Sequence, residues 1–152
     1  MKDCKMSNCE TLHATLISIY SQGVLICGKS GSGKSDTALK LIERYKAILV
    51  ADDVVNVMLN DMKLIGYAPK NIQGLLEVRG IGIVAYPYIQ QEEIKLIVHL
   101  KENIKEIERL PQKKQEVILG LAIKQIDLYA KDDSLSEKIL AALRKMSESK
   151  KG

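Results

Sequence analysis

The order of apolar and polar residues predicts an α/β chain in which strands outnumber helices. Apolar residues at helical spacing predict one helix over 35–45, and Ser134 with Glu137 at capping-box spacing predicts another over 134–146. A short helix is also expected over 71–77. Short apolar runs between polar turns predict strands at 12–20, 23–27, 47–51, 54–59, 81–85 and 94–100, with 63–65 returning as a hairpin. These elements predict an α/β fold with a mixed sheet flanked by helices.

Length and composition favour a single globular domain. The chain has 152 residues, of which 46% are apolar and 28% are charged, and this is ordinary globular composition. We expect a loose leader over residues 1–10, the domain over residues 11–147, and a frayed polar tail over residues 148–152.

Composition argues against two classes of partner. The chain has no Trp and no Phe, so an aromatic stacking platform for single-stranded nucleic acid is hard to build. Its net charge of +4 is spread among acidic residues and does not form a basic stripe. No stretch reaches the roughly 18 apolar residues of a membrane span. The sequence therefore predicts neither a nucleic-acid nor a membrane partner.

The three cysteines, an odd number, predict a reduced protein. Cys4 and Cys9 stand in the polar leader, and with His13 they fit no zinc spacing well. We expect unliganded thiols, no structural disulfide, and a cytoplasmic location.

A phosphate-loop pattern, G-x-x-x-x-G-K-[ST], is satisfied at every position by Gly28, Lys29, Ser30, Gly31, Ser32, Gly33, Lys34 and Ser35. The loop follows a predicted strand and opens a predicted helix, as phosphate binding requires. Glycines let backbone N–H groups turn toward phosphate oxygens, and the helix N-terminus adds positive potential. Lys34 is then expected at the β and γ phosphates of ATP, and the Ser35 hydroxyl at Mg²⁺. A glycine-rich turn that binds nothing is the alternative.

Two adjacent aspartates, Asp52 and Asp53, follow the predicted strand over 47–51. Phosphoryl transfer needs an acid that holds the metal and a group that orients or deprotonates the nucleophile. In an open parallel sheet, this strand end would lie beside the phosphate loop. Because neighbouring strand residues point to opposite faces, only one aspartate can face the γ phosphate unless the chain turns there. A solvated acidic turn is the alternative.

The segment EVRGIGI, residues 77–83, combines a charged pair with two glycines. It is compatible with a mobile loop that brings the Glu77 carboxylate and the Arg79 guanidinium to a site. An ordinary turn explains it equally well. His13 is uninformative by itself, because most isolated histidines are structural or exposed.

Taken together, these segments resemble the catalytic domain of the bacterial HPr kinase/phosphorylase family, which phosphorylates a serine of the phosphocarrier protein HPr. The resemblance covers about residues 12–100. It rests on four segments in order: LHATLISIYSQGVLICG, GKSGSGKSDTAL, LVADDVV and LLEVRGIGIV, of which the last is similar to the family's signature sequence. The resemblance implies a fold like that of HPr kinase and PEP carboxykinase. It also implies an ATP- and Mg²⁺-dependent protein-serine kinase that regulates the phosphotransferase system.

The resemblance implies roles for individual residues. It places Lys34 and the rest of the loop at the ATP phosphates, Ser35 and Glu77 at Mg²⁺, and His13 in the active site. Asp52 matches the acid that takes the proton from the substrate serine during in-line attack on the γ phosphate. Asp52→Asn is therefore expected to abolish transfer. Asp53 and Arg79 lie within matched motifs and are expected in supporting roles.

The chain departs from the family's usual pattern at several points. Lys29 stands where an acid is usual, and Asp36 where Glu is common. The N-terminal domain of long members has no counterpart, and beyond Leu100 the family's C-terminal arginine and its segment linked to dephosphorylation cannot be placed. The resemblance thus implies a short, single-domain form. Kinase activity is expected, and phosphorolysis of phosphoserine-HPr is left open.

The expected partner is HPr or a paralogue, and self-association is expected because long family members form hexamers. One alternative is another P-loop small-molecule or nucleotide kinase, or an ATPase. The chain has four arginines and no obvious arginine-rich lid for a nucleotide kinase. The other alternative is a non-catalytic ATP-binding sensor, which would tolerate Asp52→Asn.

Overall fold

The computed structural model describes residues 8–151, with side chains over residues 8–148. The two α-helices are α1 (Lys34–Tyr45) and α2 (Leu135–Lys151). Short 3-10 turns occur at Lys70–Ile72 and Ile104–Glu106. The strands in chain order are β1 (Cys9–Leu12), β2 (Thr15–Ile19), β3 (Gln22–Cys27), β4 (Ile48–Ala51), β5 (Val55–Asn60), β6 (Lys63–Tyr67), β7 (Leu75–Val78), β8 (Gly82–Ala85), β9 (Gln91–Lys101), β10 (Lys114–Ile118) and β11 (Leu121–Tyr129).

Nine of these strands form one mixed sheet. Its main order is β1-β5-β6-β9-β3-β2-β4, and the β10–β11 hairpin joins it through β9. The long strand β9 pairs in parallel with β3 and β11, whereas it pairs antiparallel with β6. Strands β7 and β8 form a separate two-stranded ribbon. The predicted α/β fold with a mixed sheet is confirmed.

Alternating side chains of the central strands bury both faces of the sheet. On one face, Ile17 and Ile26 pack with apolar residues of α1 and α2. On the other face, Leu16 and Leu25 pack in a second apolar cluster with residues of the β5, β6 and β9 strands. Because both faces are covered, strands such as β3 read as continuous apolar runs. The Tyr45 hydroxyl also donates a hydrogen bond from α1 to Glu137 of α2.

Most predicted elements agree with the structure, and the short helix over 71–77 is wrong. Its C-terminal half is strand β7, which pairs with β8 and buries the Leu76 side chain. Gly74 has φ of 74°, which ends the 3-10 turn and starts the strand. Pairing with β8 and burial of Leu76 outweighed the local helix signal.

The N-terminal strand and its cysteine differ from expectation. Strand β1 begins at Cys9, inside the segment predicted as a leader. Cys9 is disulfide-bonded, which contradicts the prediction that every cysteine is a free thiol, and Cys27 is a free cysteine. Cys4 lies outside the described residues. Among residues 8–151, no helix is both long and apolar enough to cross a membrane.

Candidate functional site

The phosphate loop connects the end of β3 to the start of α1. Gly31 and Gly33 have φ of 81° and 101°, in the left-handed region that favours glycine. Gly33 is the N-cap of α1 and makes no side-chain capping hydrogen bond. The N–H groups of the first helical turn are therefore available to an anion, and the helix dipole favours negative charge there.

The ammonium group of Lys34 is held over this loop. Its Nζ donates to the carbonyl oxygens of Gly28 at 2.8 Å and of Lys29 at 3.1 Å. These bonds place a positive charge beside the loop's backbone N–H groups. Such an arrangement suits the phosphate groups of a nucleotide.

The loop forms one wall of a cleft of about 620 Å³. This volume lies in the range of small-molecule sites. Ser30, Gly31, Gly33, Lys34, Ser35 and Asp36 line the loop side. Asp53 and the β7–β8 ribbon line the facing side, through Glu77, Val78, Arg79, Gly80, Ile81 and Gly82.

Strand topology brings the aspartates to the phosphate loop. Strands β3 and β4 both pair antiparallel with β2, which lies between them. They therefore run parallel to each other, and their carboxyl ends meet at one edge of the sheet. The predicted proximity of Asp52 and Asp53 to the loop is correct, although the intervening antiparallel strand was not foreseen.

Asp52 is buried beneath the phosphate loop, with 6% of its surface exposed. Its Oδ1 accepts hydrogen bonds from Ser35 Oγ at 2.7 Å and from Thr15 Oγ1 at 2.9 Å. Its Oδ2 accepts one from the Glu77 backbone N–H at 3.0 Å. Asp52 thus ties together the loop, strand β2 and the β7–β8 ribbon.

Asp53 has a different environment because the chain turns sharply at this point. The Val54 N–H donates to the Asp52 carbonyl oxygen at 2.7 Å, which closes a three-residue turn centred on Asp53. Asp53 has φ of 67°, and such turns are rare and strained. Its side chain is exposed and lines the cleft. The turn therefore sends the two carboxylates in different directions.

The β7–β8 ribbon is anchored at its base and open at its tip. Leu76 is fully buried in the core, and the Tyr86 hydroxyl donates to Glu43 of α1 at 2.9 Å. At the tip, Gly80 and Gly82 have φ of 87° and 116°. These contacts hold the ribbon in place, so that Glu77 and Arg79 lie on the wall of the cleft that faces the phosphate loop.

The donor atoms of the cleft fit a magnesium ion. The Ser35 hydroxyl and the Glu77 carboxylate both line it, and Mg²⁺ prefers hard oxygen ligands. No cluster of three or more His, Cys, Asp or Glu suited to a metal occurs in the described part of the chain. Mg²⁺ keeps several waters and takes oxygens from nucleotide phosphates, so one or two protein oxygens suffice.

The structure separates the predicted site residues into those that line the cleft and those that do not. Gly28, Lys29 and Ser32 belong to the loop but are not among the cleft-lining residues. The Lys29 Nζ instead lies 3.7 Å from Oε2 of Glu102, and both side chains are exposed. His13 is exposed in the connection between β1 and β2, also outside the cleft lining. Its predicted place in the active site stays a prediction.

One polar residue of the site was missed from the sequence. Thr15 is fully buried and donates to Asp52 across 37 positions of the chain. A threonine inside a strand gives no local sign of such a contact. Sequence reasoning had no signal that could have found it.

The strand, the phosphate loop and the helix that follows it, together with the cleft that the loop lines, define a P-loop protein. A model of the HPr Serine kinase C-terminal domain family matches residues 4–152. The chain belongs to this family.

Curated proteins with similar sequences carry the name HPr kinase/phosphorylase. One from Caldicellulosiruptor bescii is 41% identical over 124 residues, which are 74% of this chain and 40% of that protein. One from Lactiplantibacillus plantarum is 45% identical over 105 residues, or 64% of this chain and 33% of that protein. The chain thus spans well under half the length of these relatives.

A solved structure also resembles the chain over most of its length. It is described as the Hpr(Ser) kinase/phosphatase from Coxiella burnetii, with a TM-score of 0.84 and 29% sequence identity. The match covers 94% of this chain and 99% of that one. The fold assignment is therefore supported by a protein of nearly the same extent.

Proposed function

We propose that this protein is an ATP- and Mg²⁺-dependent protein-serine kinase that phosphorylates HPr or a related phosphocarrier. The observation that carries the proposal is the shared cleft. A phosphate loop on one wall faces the Glu77 and Arg79 side chains and an exposed carboxylate, Asp53, on the other. The names of the relatives and of the similar solved structure support HPr as the acceptor.

The proposed nucleotide site uses the loop and its flanking residues. Lys34 and the N–H groups of the loop and of the first turn of α1 bind the β and γ phosphates. Ser35 and Glu77 would hold Mg²⁺, which offsets negative charge on the phosphates during transfer. Arg79, on the same wall as Glu77, supports the transferred group through its guanidinium.

The acceptor site is the open side of the cleft. An incoming serine hydroxyl must reach the γ phosphate in line with the bond that breaks, and its proton needs an acceptor. We propose Asp52 as this acceptor, because the resemblance matches it to the family's acid and because it lies in hydrogen-bond contact with Ser35 of the loop. Asp53 lines the cleft and is proposed in a supporting role.

The same cleft is compatible with the removal of phosphate from phosphoserine. Relatives are named as kinase and phosphorylase or as kinase and phosphatase, which favours dephosphorylation of phosphoserine-HPr as a second candidate activity. We further propose a cytoplasmic protein that self-associates.

A transfer assay tests the proposal. The protein is incubated with labelled ATP, Mg²⁺ and HPr, and the product is located by mass spectrometry. We expect label on a single HPr serine, and none on a matched HPr in which that serine is replaced by alanine. Tight nucleotide binding without transfer to any phosphocarrier would contradict the substrate assignment. Adding inorganic phosphate to the labelled product tests for dephosphorylation.

A further inference from the structure

The tip of the β7–β8 ribbon exposes two large apolar side chains beside the proposed phosphate site. Ile81 is 75% exposed and Ile83 is 64% exposed. Because apolar side chains stabilise a fold by leaving water, two isoleucines that stay in water add little to its stability. Apolar residues exposed together at the edge of a functional cleft are typical of a contact surface for another molecule.

The two faces of the ribbon have different surroundings. Leu76 and Val84 lie opposite each other, and Leu76 is fully buried in the core. Glu77 and Ile83 form the next pair toward the tip. Since neighbouring residues of a strand point to opposite faces, the side chains of this pair point away from the core, with Cβ atoms about 4.5–5.5 Å apart. Ile83 therefore lies next to Glu77, the residue proposed to hold Mg²⁺.

A bound nucleotide would not cover this apolar surface. Ile81 lines the cleft together with Arg79, whereas Ile83 is not among the cleft-lining residues. The phosphate-loop side of the cleft is lined by polar and charged residues such as Ser30 and Asp36. The apolar surface thus begins inside the cleft and continues onto the outward face of the ribbon. A molecule that covers both isoleucines must extend beyond the cleft, as a protein acceptor does.

We infer that Ile81 and Ile83 form a docking surface for the acceptor protein, where they contact apolar residues that flank its serine. This inference rests on the proposed kinase function. A serine on the surface of a folded protein can reach the γ phosphate only if its neighbours pass over the rim of the cleft. The ribbon tip is part of that rim, so the two isoleucines lie where those neighbours must pass.

The docking surface acts on the acceptor protein and not on the nucleotide. Burial of the two isoleucines strengthens the binding of the acceptor, because apolar surface leaves water on both molecules. The phosphates of ATP are bound by the loop on the opposite wall, which these side chains do not form. Loss of the isoleucines should therefore change the KM for the acceptor and leave the binding of Mg·ATP unchanged.

Single substitutions in the full chain test the docking surface, with HPr as the acceptor at saturating Mg·ATP. Ile81→Ser and Ile83→Ser each remove an exposed apolar side chain, and Ile83→Val keeps one. Val117→Ser is the matched control. Val117 is also a β-branched residue in a strand, is 65% exposed, and is not among the cleft-lining residues.

We expect Ile81→Ser and Ile83→Ser to raise the KM for HPr by about tenfold or more, with kcat within about twofold of the wild type. The dissociation constant for Mg·ATP should not change. Ile83→Val removes one methylene and should raise the KM by about fourfold at most. Val117→Ser should behave as the wild type.

Three results would count against the docking surface. A KM within about twofold of the wild type in both serine variants would overturn the inference and leave the proposed function standing. A change of oligomeric state in Ile81→Ser or Ile83→Ser, measured by analytical ultracentrifugation, would assign the surface to a contact between copies of the chain and would also overturn it. If the wild type itself transfers nothing to HPr, the proposed function fails and the docking surface fails with it.

Discussion

At the scale of single residues, Cys27 shows how burial changes the chemistry of a thiol beside the phosphate loop. Cys27 ends strand β3, directly before the first loop glycine. Burial, with a contribution from the negative charge of Glu116, raises the pKa of its thiol to about 12, although the charge of Lys34 acts in the opposite direction. The thiol therefore stays protonated at neutral pH, and only the thiolate is a good nucleophile.

We predict that Cys27 reacts slowly with iodoacetamide in the folded protein. The shift from 9.0 to about 12 lowers the thiolate fraction at pH 8 by about a thousandfold relative to an unperturbed thiol. Peptide mass spectrometry can follow alkylation at Cys27 itself, with the protein in denaturant as the control. Equal rates at Cys27 in folded and unfolded protein would show that its surroundings do not protect it.

The sequence was informative at residues whose roles follow from local spacing. Lys34 and Ser35 belong to a contiguous motif whose flanking strand and helix could also be predicted, and both line the cleft. The different burial of Asp52 and Asp53 could not be predicted, because it depends on the tight turn at Asp53, where φ is 67°. The Thr15 contact depends on strand pairing across β2 and β4, which no local pattern encodes.

At the scale of elements, the β7–β8 ribbon is the part of the site that the sequence described least well. Its first strand was predicted as a helix because a proline, an asparagine and later a glycine imitate helix boundaries. The strand forms because β8 supplies a hydrogen-bonding partner and the core supplies a pocket for Leu76. Although β8 begins only four residues after β7 ends, the pocket for Leu76 is formed by residues that are distant in sequence, such as Ile17 and Ile26.

The ribbon's entry turn gives a prediction at this scale. Gly74 has φ of 74°, and a Cβ there would lie 2.6 Å from the Tyr88 ring. Gly120, in the β10–β11 turn, has φ of 82°, but a Cβ there would meet nothing within 4 Å. Gly120→Ala should cost about 1 kcal/mol through backbone strain alone, whereas Gly74→Ala should cost about 2–4 kcal/mol through strain and overpacking.

Urea denaturation of the two alanine variants measures this difference. Because Gly74 precedes the strand that carries Glu77, we also expect Gly74→Ala to reduce transfer activity more than Gly120→Ala does. Equal free energies of unfolding for the two variants would indicate that the Tyr88 contact does not constrain this turn.

At the scale of the whole molecule, one sheet edge gathers groups from distant parts of the chain. The carboxyl ends of β3 and β4 bring the phosphate loop and the aspartates together, and the separate ribbon closes the far wall of the cleft. The class of fold could be predicted because long apolar runs and one amphipathic helix are strong local signals. The strand order, with antiparallel β2 between β3 and β4, could not, because pairing is a property of the assembled sheet.

Binding of Mg·ATP at the loop should stabilise the whole domain. A ligand at about one hundred times its dissociation constant contributes about 2.7 kcal/mol, which raises the melting temperature of a domain of this size by about 5–10 °C. Lys34→Ala removes the ammonium that lies over the loop. Lys40→Ala, on an exposed position of the same helix, is the matched control.

Calorimetric titration of Mg·ATP into the wild type, Lys34→Ala and Lys40→Ala tests most directly whether the cleft holds a triphosphate. We expect one binding site in the wild type and in Lys40→Ala. In Lys34→Ala we expect the affinity for Mg·ATP to fall by about tenfold or more, because a charge-assisted contact to phosphate is removed. Equal affinities in all three proteins, or no binding to the wild type, would contradict the account.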